Sequence, residues 1–196
     1  MHYKGIIIYK TAFHSKTAIL DENNTMQHVF MDGKKLLSIG SYIVYTKKQK
    51  GDVAFGECVS IEDLPLAIAK ENIYFLHHIF EIIYAFTPVG KTIHGLFDHV
   101  LFLYHQPTNF YVEDALWKKL FIGKILFLLS IYKEEQKSII SFFHKINTLP
   151  IDRVTIESLH LAEEEALNNW LLTIFDMHQK LNKFKTTYFR AHCGKI

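Results

Sequence analysis

The sequence predicts an α+β protein, a five-stranded OB-like β-barrel followed by an all-α helical domain. Three observations lead there. The chain changes character near residue 62, from short runs of β-branched and aromatic residues divided by basic, Gly-containing turns to amphipathic helical patterns that continue to Ile196. Charge divides at the same place. Residues 1–60 carry 8 lysines against 5 acids, whereas residues 61–196 carry 14 basic and 15 acidic residues. Finally, turn signals cut the first module into five short segments, the strand number of a small partly open barrel. An SH3-like barrel or an open meander is the alternative for the same strands. The expected domains are 1–62 and 63–196.

The strands follow from local composition. Tyr3 to Lys10 is β-branched, with Ile6, Ile7 and Ile8 in succession. Thr17 to Leu20 is closed by the turn-forming Asp21-Glu22-Asn23-Asn24. Thr25 to Met31 is expected to return as a hairpin at Asp32-Gly33. Ile39 to Thr46 places Tyr42 and Val44 on one face and Ile43 and Tyr45 on the other. Asp52 to Ile61 follows, with Gly51 and Gly56 permitting a bend or bulge.

Helices are expected at Lys70 to Phe86, stopped by Thr87-Pro88, and at Lys91 to His105, ended by Pro107. Glu113 to Tyr132 is broadly apolar and hence central. Glu134 to Ile146 comes next. Ser158 to Leu181 carries a buried stripe of Leu167, Trp170, Leu171, Ile174, Phe175, His178 and Leu181.

Composition narrows the classes. An apolar share of 49% with 21% charged is that of a globular chain. Cys58 and Cys193 alone build neither a disulfide framework nor a four-cysteine zinc site, so neither metal nor cofactor is expected. The greasiest stretch, Leu120 to Ile131, contains Lys124 and is too short to span a bilayer, and a reducing cytoplasm is the expected compartment. No Walker loop, dinucleotide fingerprint or nucleophile elbow occurs. His77 and His78 near Glu81 straddle two helix faces, and His94 with Asp98 is a lone i,i+4 pair. A non-enzymatic role is therefore expected.

The barrel's charge points to nucleic acid. Lys34 and Lys35 follow the third strand, and Lys47, Lys48 and Lys50 stand between the fourth and fifth. Such lysines neutralise phosphates while Tyr42, Tyr45, Phe30 or Phe55 offer flat faces to bases. Lys183, Lys185 and Arg190 lie in a tail without an acid after Asp176. They are either a polar chain end or a further part of the phosphate surface.

Several stretches follow one another in a familiar order. They are Tyr3 to Tyr9, Phe30-Met31-Asp32-Gly33-Lys34-Lys35, Leu36 to Tyr45 with Gly51 to Glu57, Asn72 to Ile83, Ala115-Leu116-Trp117-Lys118-Lys119-Leu120, and Trp170 to Leu172 with His178 and Phe184-Lys185-Thr186. Together they resemble the RecO family of bacterial recombination mediators over nearly the full chain. The zinc-finger cysteines of many members are missing at Tyr132 to Lys137, and Ser130 stands where a helix-ending glycine is common. The resemblance implies binding of single- and double-stranded DNA in the bacterial cytoplasm, at the nucleoid. It also implies annealing of complementary strands and assistance to recombinase loading. Implied partners are RecR, single-stranded-DNA-binding protein and, indirectly, RecA. The acidic C-terminal peptide of single-stranded-DNA-binding protein would dock on Trp117, Lys118, Lys119, Leu120 and Lys124, an apolar slot with a basic rim. An adaptor of the same architecture that binds RNA or a protein, unrelated to repair, is the other reading.

Overall fold

The computed structural model describes residues 1–11, 16–32, 37–105, 115–132, 137–145 and 161–178. Five strands, β1 (His2–Lys10), β2 (Lys16–Asp21), β3 (Met26–Met31), β4 (Tyr42–Lys50) and β5 (Val53–Asp63), close into a barrel in the order β1-β2-β3-β5-β4. The described helices are α1 (Leu66–Phe86), α2 (Leu96–Leu101), α3 (Ala115–Leu128), α4 (Lys137–Lys145) and α5 (Leu161–Met177). The fold is thus α+β, an OB-like barrel ahead of helices. Among the described residues no helix is long and apolar enough to cross a membrane.

Every strand pair is antiparallel except β3 with β5. The hairpin expected at Asp32-Gly33 is not formed, because β4 pairs with β1 and β5 and never with β3. A meander would leave β1 with an open edge; laying β4 beside it closes the barrel and satisfies that edge. Strand alternation fills the interior with Ile7, Ile19, Val29, Met31, Ile43, Tyr45, Ala54 and Cys58. At Gly56 an added Cβ would stand 2.7 Å from Val29 Cγ1 and 2.8 Å from the Thr46 carbonyl, so β5 approaches its neighbours there in a way that only glycine fits.

The outer faces of β1, β2 and β3 are not all wet. Ile6, Ile8, Leu20 and Met26 are buried, and residues that follow α1 bond to this side of the barrel. Gly90 N–H donates to the Met26 carbonyl at 2.9 Å, and Ile93 N–H to that of Asn24 at 2.8 Å. The Tyr104 hydroxyl donates to the Gly40 carbonyl at 2.7 Å. This attachment also explains why the expected helix from Lys91 to His105 shrinks to α2. Val89 and Thr92 bridge to Met26 and Thr25, which commits that backbone to the sheet.

Helix α1 begins earlier than Lys70 and is interrupted at Asn72 (φ −155°, ψ 81°). The Asn72 side-chain oxygen accepts from Phe75 N–H at 2.9 Å, the geometry of an N-cap, so α1 is two helical pieces end to end. Contacts divide the chain into one unit of Met1–Ala67 with Phe80–Gln106 and another of Ile68–Ile79 with Pro107–Ile196. Residue 62 thus marks the change of secondary structure, while the compact units are cut within α1. In the second unit α3 is buried from Trp117 to Phe127, as its apolar run requires. Trp117 lies 5.2 Å from Phe121 and 5.6 Å from Phe75, and Phe143 lies 5.3 Å from Trp170. Leu167, Trp170, Leu171, Ile174 and Phe175 form the buried face of α5, with His178 half-buried beyond it. Leu181 lies outside the described residues.

Candidate nucleic-acid interface

The outer face of the barrel carries one row that crosses four strands. Lys16 of β2 is opposite Phe30 of β3, Phe30 is opposite Phe55 of β5, and Phe55 is opposite Lys48 of β4. Ladder partners point to the same side, so two aromatic rings stand between two ammonium groups. The rings are 5.8 Å apart and tilted by 34°. Phe55 is 47% exposed. One step along, Lys50 is opposite Val53, and both are exposed. In the other direction Glu57, exposed on the same face, is opposite Thr46. The row therefore offers a flat apolar centre with cationic sides, bounded at one end by a carboxylate.

The expected DNA-binding residues divide into three groups. Lys48 and Lys50 are exposed on this face. Lys34, Lys35, Lys183, Lys185 and Arg190 lie outside the described residues. Lys47, Tyr45 and Tyr42 are engaged elsewhere. Lys47 has the inward parity of β4; its Nζ donates to Gln27 Oε1 and sits 5.0 Å from the centre of the Tyr3 ring. Gln27 Nε2 donates in turn to Asp21 Oδ2. The other Asp21 oxygen accepts from Asn23 and Thr25 N–H, each at 3.0 Å, and burial pushes this carboxyl above its ordinary pKa. Tyr45 is fully buried in the barrel core, and burial first, then nearby Asp21, drives its phenol well above the usual range. It presents no face to a base. Tyr42 is half-buried against Phe97 and Tyr104, with centroids 6.2 and 6.1 Å away.

The expected peptide slot is likewise not open. Trp117 and Leu120 are fully buried, and Lys118, Lys119 and Lys124 are buried with them. Lys118 Nζ lies 5.9 Å from the centre of the Phe75 ring. Desolvation lowers the Lys124 ammonium to about 8. In a helix enclosed on all sides, lysine stems act as packing rather than as a rim.

Lys16 was not singled out by sequence, although Phe30 and Phe55 were among the candidate flat faces. The missing information was the β2–β3 register that sets Lys16 opposite Phe30, together with the β3–β5 pairing that brings Phe55 beside it, which no local pattern encodes. No group of three or more His, Cys, Asp or Glu among the described residues is placed to hold a metal ion. His94 precedes α2, so it shares no helical face with Asp98. No protein-family model matches the chain, and no curated protein matches it.

Proposed function

We propose that the protein binds unpaired nucleic acid across the outer face of its barrel. The observation that carries this reading is the row Lys16–Phe30–Phe55–Lys48. Bases have π-faces that stack on exposed rings, and the flanking phosphates are held by ammonium groups that displace condensed counterions. The barrel core is filled without help from Phe55, so an exposed ring between lysines is explained by a ligand better than by packing.

The motif order in the sequence extends this reading to a recombination mediator of the RecO kind. Such a protein needs no covalent chemistry. It anneals complementary strands by offsetting the repulsion of two phosphate backbones, and it assists a recombinase onto strands coated with single-stranded-DNA-binding protein. In this reading RecR and single-stranded-DNA-binding protein dock on the helical unit, through side chains other than the enclosed ones of α3.

The test is an annealing assay with complementary strands coated by single-stranded-DNA-binding protein. The wild-type protein is expected to accelerate annealing. The combined variant Lys16→Glu, Lys48→Glu, Lys50→Glu is expected to lose both binding and acceleration while keeping its melting temperature. Binding that survives charge reversal at low salt would remove the interface. Binding without annealing would leave a nucleic-acid adaptor and remove the mediator role.

A further inference from the structure

A second aromatic group adjoins the Phe30–Phe55 pair. Tyr84, near the end of α1, is 37% exposed and stacks on Tyr9 of β1, with centroids 4.2 Å apart and planes 13° from parallel. His28 of β3 lies beside them, its ring 6.3 Å from that of Tyr84. The ladder sets this grouping. Tyr9 is opposite Ala18 and Ala18 is opposite His28, so a small side chain separates two large ones and the Tyr84 ring contacts both neighbours.

This row is the one next to the row already described. His28 and Phe30 alternate along β3 on one face, about 7 Å apart. Lys16 serves both rows. It is opposite Phe30 in the ladder, and after desolvation its charge is the second influence that lowers the His28 pKa. A neutral His28 keeps the surface beside Tyr84 uncharged, and Lys16 then supplies the cation there.

We infer that Tyr84, held flat by Tyr9, is a second base-stacking station, so that the barrel holds an unpaired strand across two neighbouring aromatic rows with Lys16 at the phosphate between them. The inference rests on the nucleic-acid reading of the Phe30–Phe55 row and extends it to the surface contributed by α1. A duplex keeps its bases stacked on one another and offers no free face to either station, so the arrangement selects single strands.

The experiment uses the full chain and labelled oligothymidylate. Tyr84→Trp adds an indole at the station, while the natural Trp117 and Trp170 are fully buried. Its extra emission, relative to wild type, is expected to be quenched at the oligonucleotide concentration that shifts the anisotropy. Tyr84→Leu keeps an apolar cover over Tyr9 but removes the π-face, and is expected to weaken binding roughly tenfold. Emission of Tyr84→Trp that stays constant at saturation, with Phe55→Leu still weakening binding, would overturn the second station and leave the first reading standing. Normal binding by Phe55→Leu, or none by the wild type, would remove both.

Discussion

At the scale of single residues, parity in a strand decides role more firmly than chemical type. Tyr45, Lys47 and Lys48 are all plausible ligands for a nucleic acid by chemistry. Tyr45 and Lys47 point inward, and Lys48 points out. Lys124 is also shaped by its surroundings. Its ammonium falls from an ordinary 10.5 to about 8 because burial disfavours the charged form. Between those two values the folded chain has shed a proton that the unfolded chain retains. Stability therefore rises as pH climbs through that window and reaches its full value above 10.5. Lys124→Met lacks this gain. Urea unfolding of both proteins at pH 8 and about pH 10 is expected to show the wild type gaining on the variant. Parallel behaviour would mean that the ammonium keeps its charge in the folded state.

At the scale of elements, two helix boundaries are set by single residues. Asn72 restarts α1 by capping Phe75. Ser130 ends α3 in the left-handed region, at φ 56°. Its N–H donates to the Phe127 carbonyl and that of Ile131 to the Leu126 carbonyl, both at 2.9 Å, which is the Schellman pairing. A residue with a Cβ is strained there by about 1 kcal/mol, and glycine is not. Ser130→Gly is thus expected to stabilise the protein by a little under that amount, since the more flexible unfolded chain offsets part of the gain. Thermal melting measures it. A lower melting temperature would show that the serine side chain contributes more than its backbone strain costs.

At the scale of the whole molecule, the net charge of +2 conceals the division between a basic β region and a nearly neutral helical one. The proposed interface uses that division, with Glu57 as the one acid on its described outer row of β5 before Glu62. Glu57→Lys is expected to tighten binding to oligothymidylate at low salt. If the new lysine engages a phosphate, the salt dependence steepens by about 0.7 in log–log slope. An unchanged affinity would show that the strand's path does not pass Glu57.

The sequence by itself determined the α+β class, the barrel's strand number, the two faces of β4 and the apolar character of α3. These follow from periodicity and composition, which are local. It was also enough to name Phe30 and Phe55 as candidate faces. Tertiary structure alone decided that β3 runs beside β5 instead of turning back on β4, and this pairing brings Phe30, Phe55, Lys16 and Lys48 into one row. It likewise decided that Tyr45 and Lys47 are held inside, that Trp117 and its lysines are covered, and that Tyr84 of α1 lies on β1. The physical reason is range. Local sequence sets which way a side chain points from its own strand or helix, but which surface that face meets depends on how distant segments pair to close a barrel and exclude water.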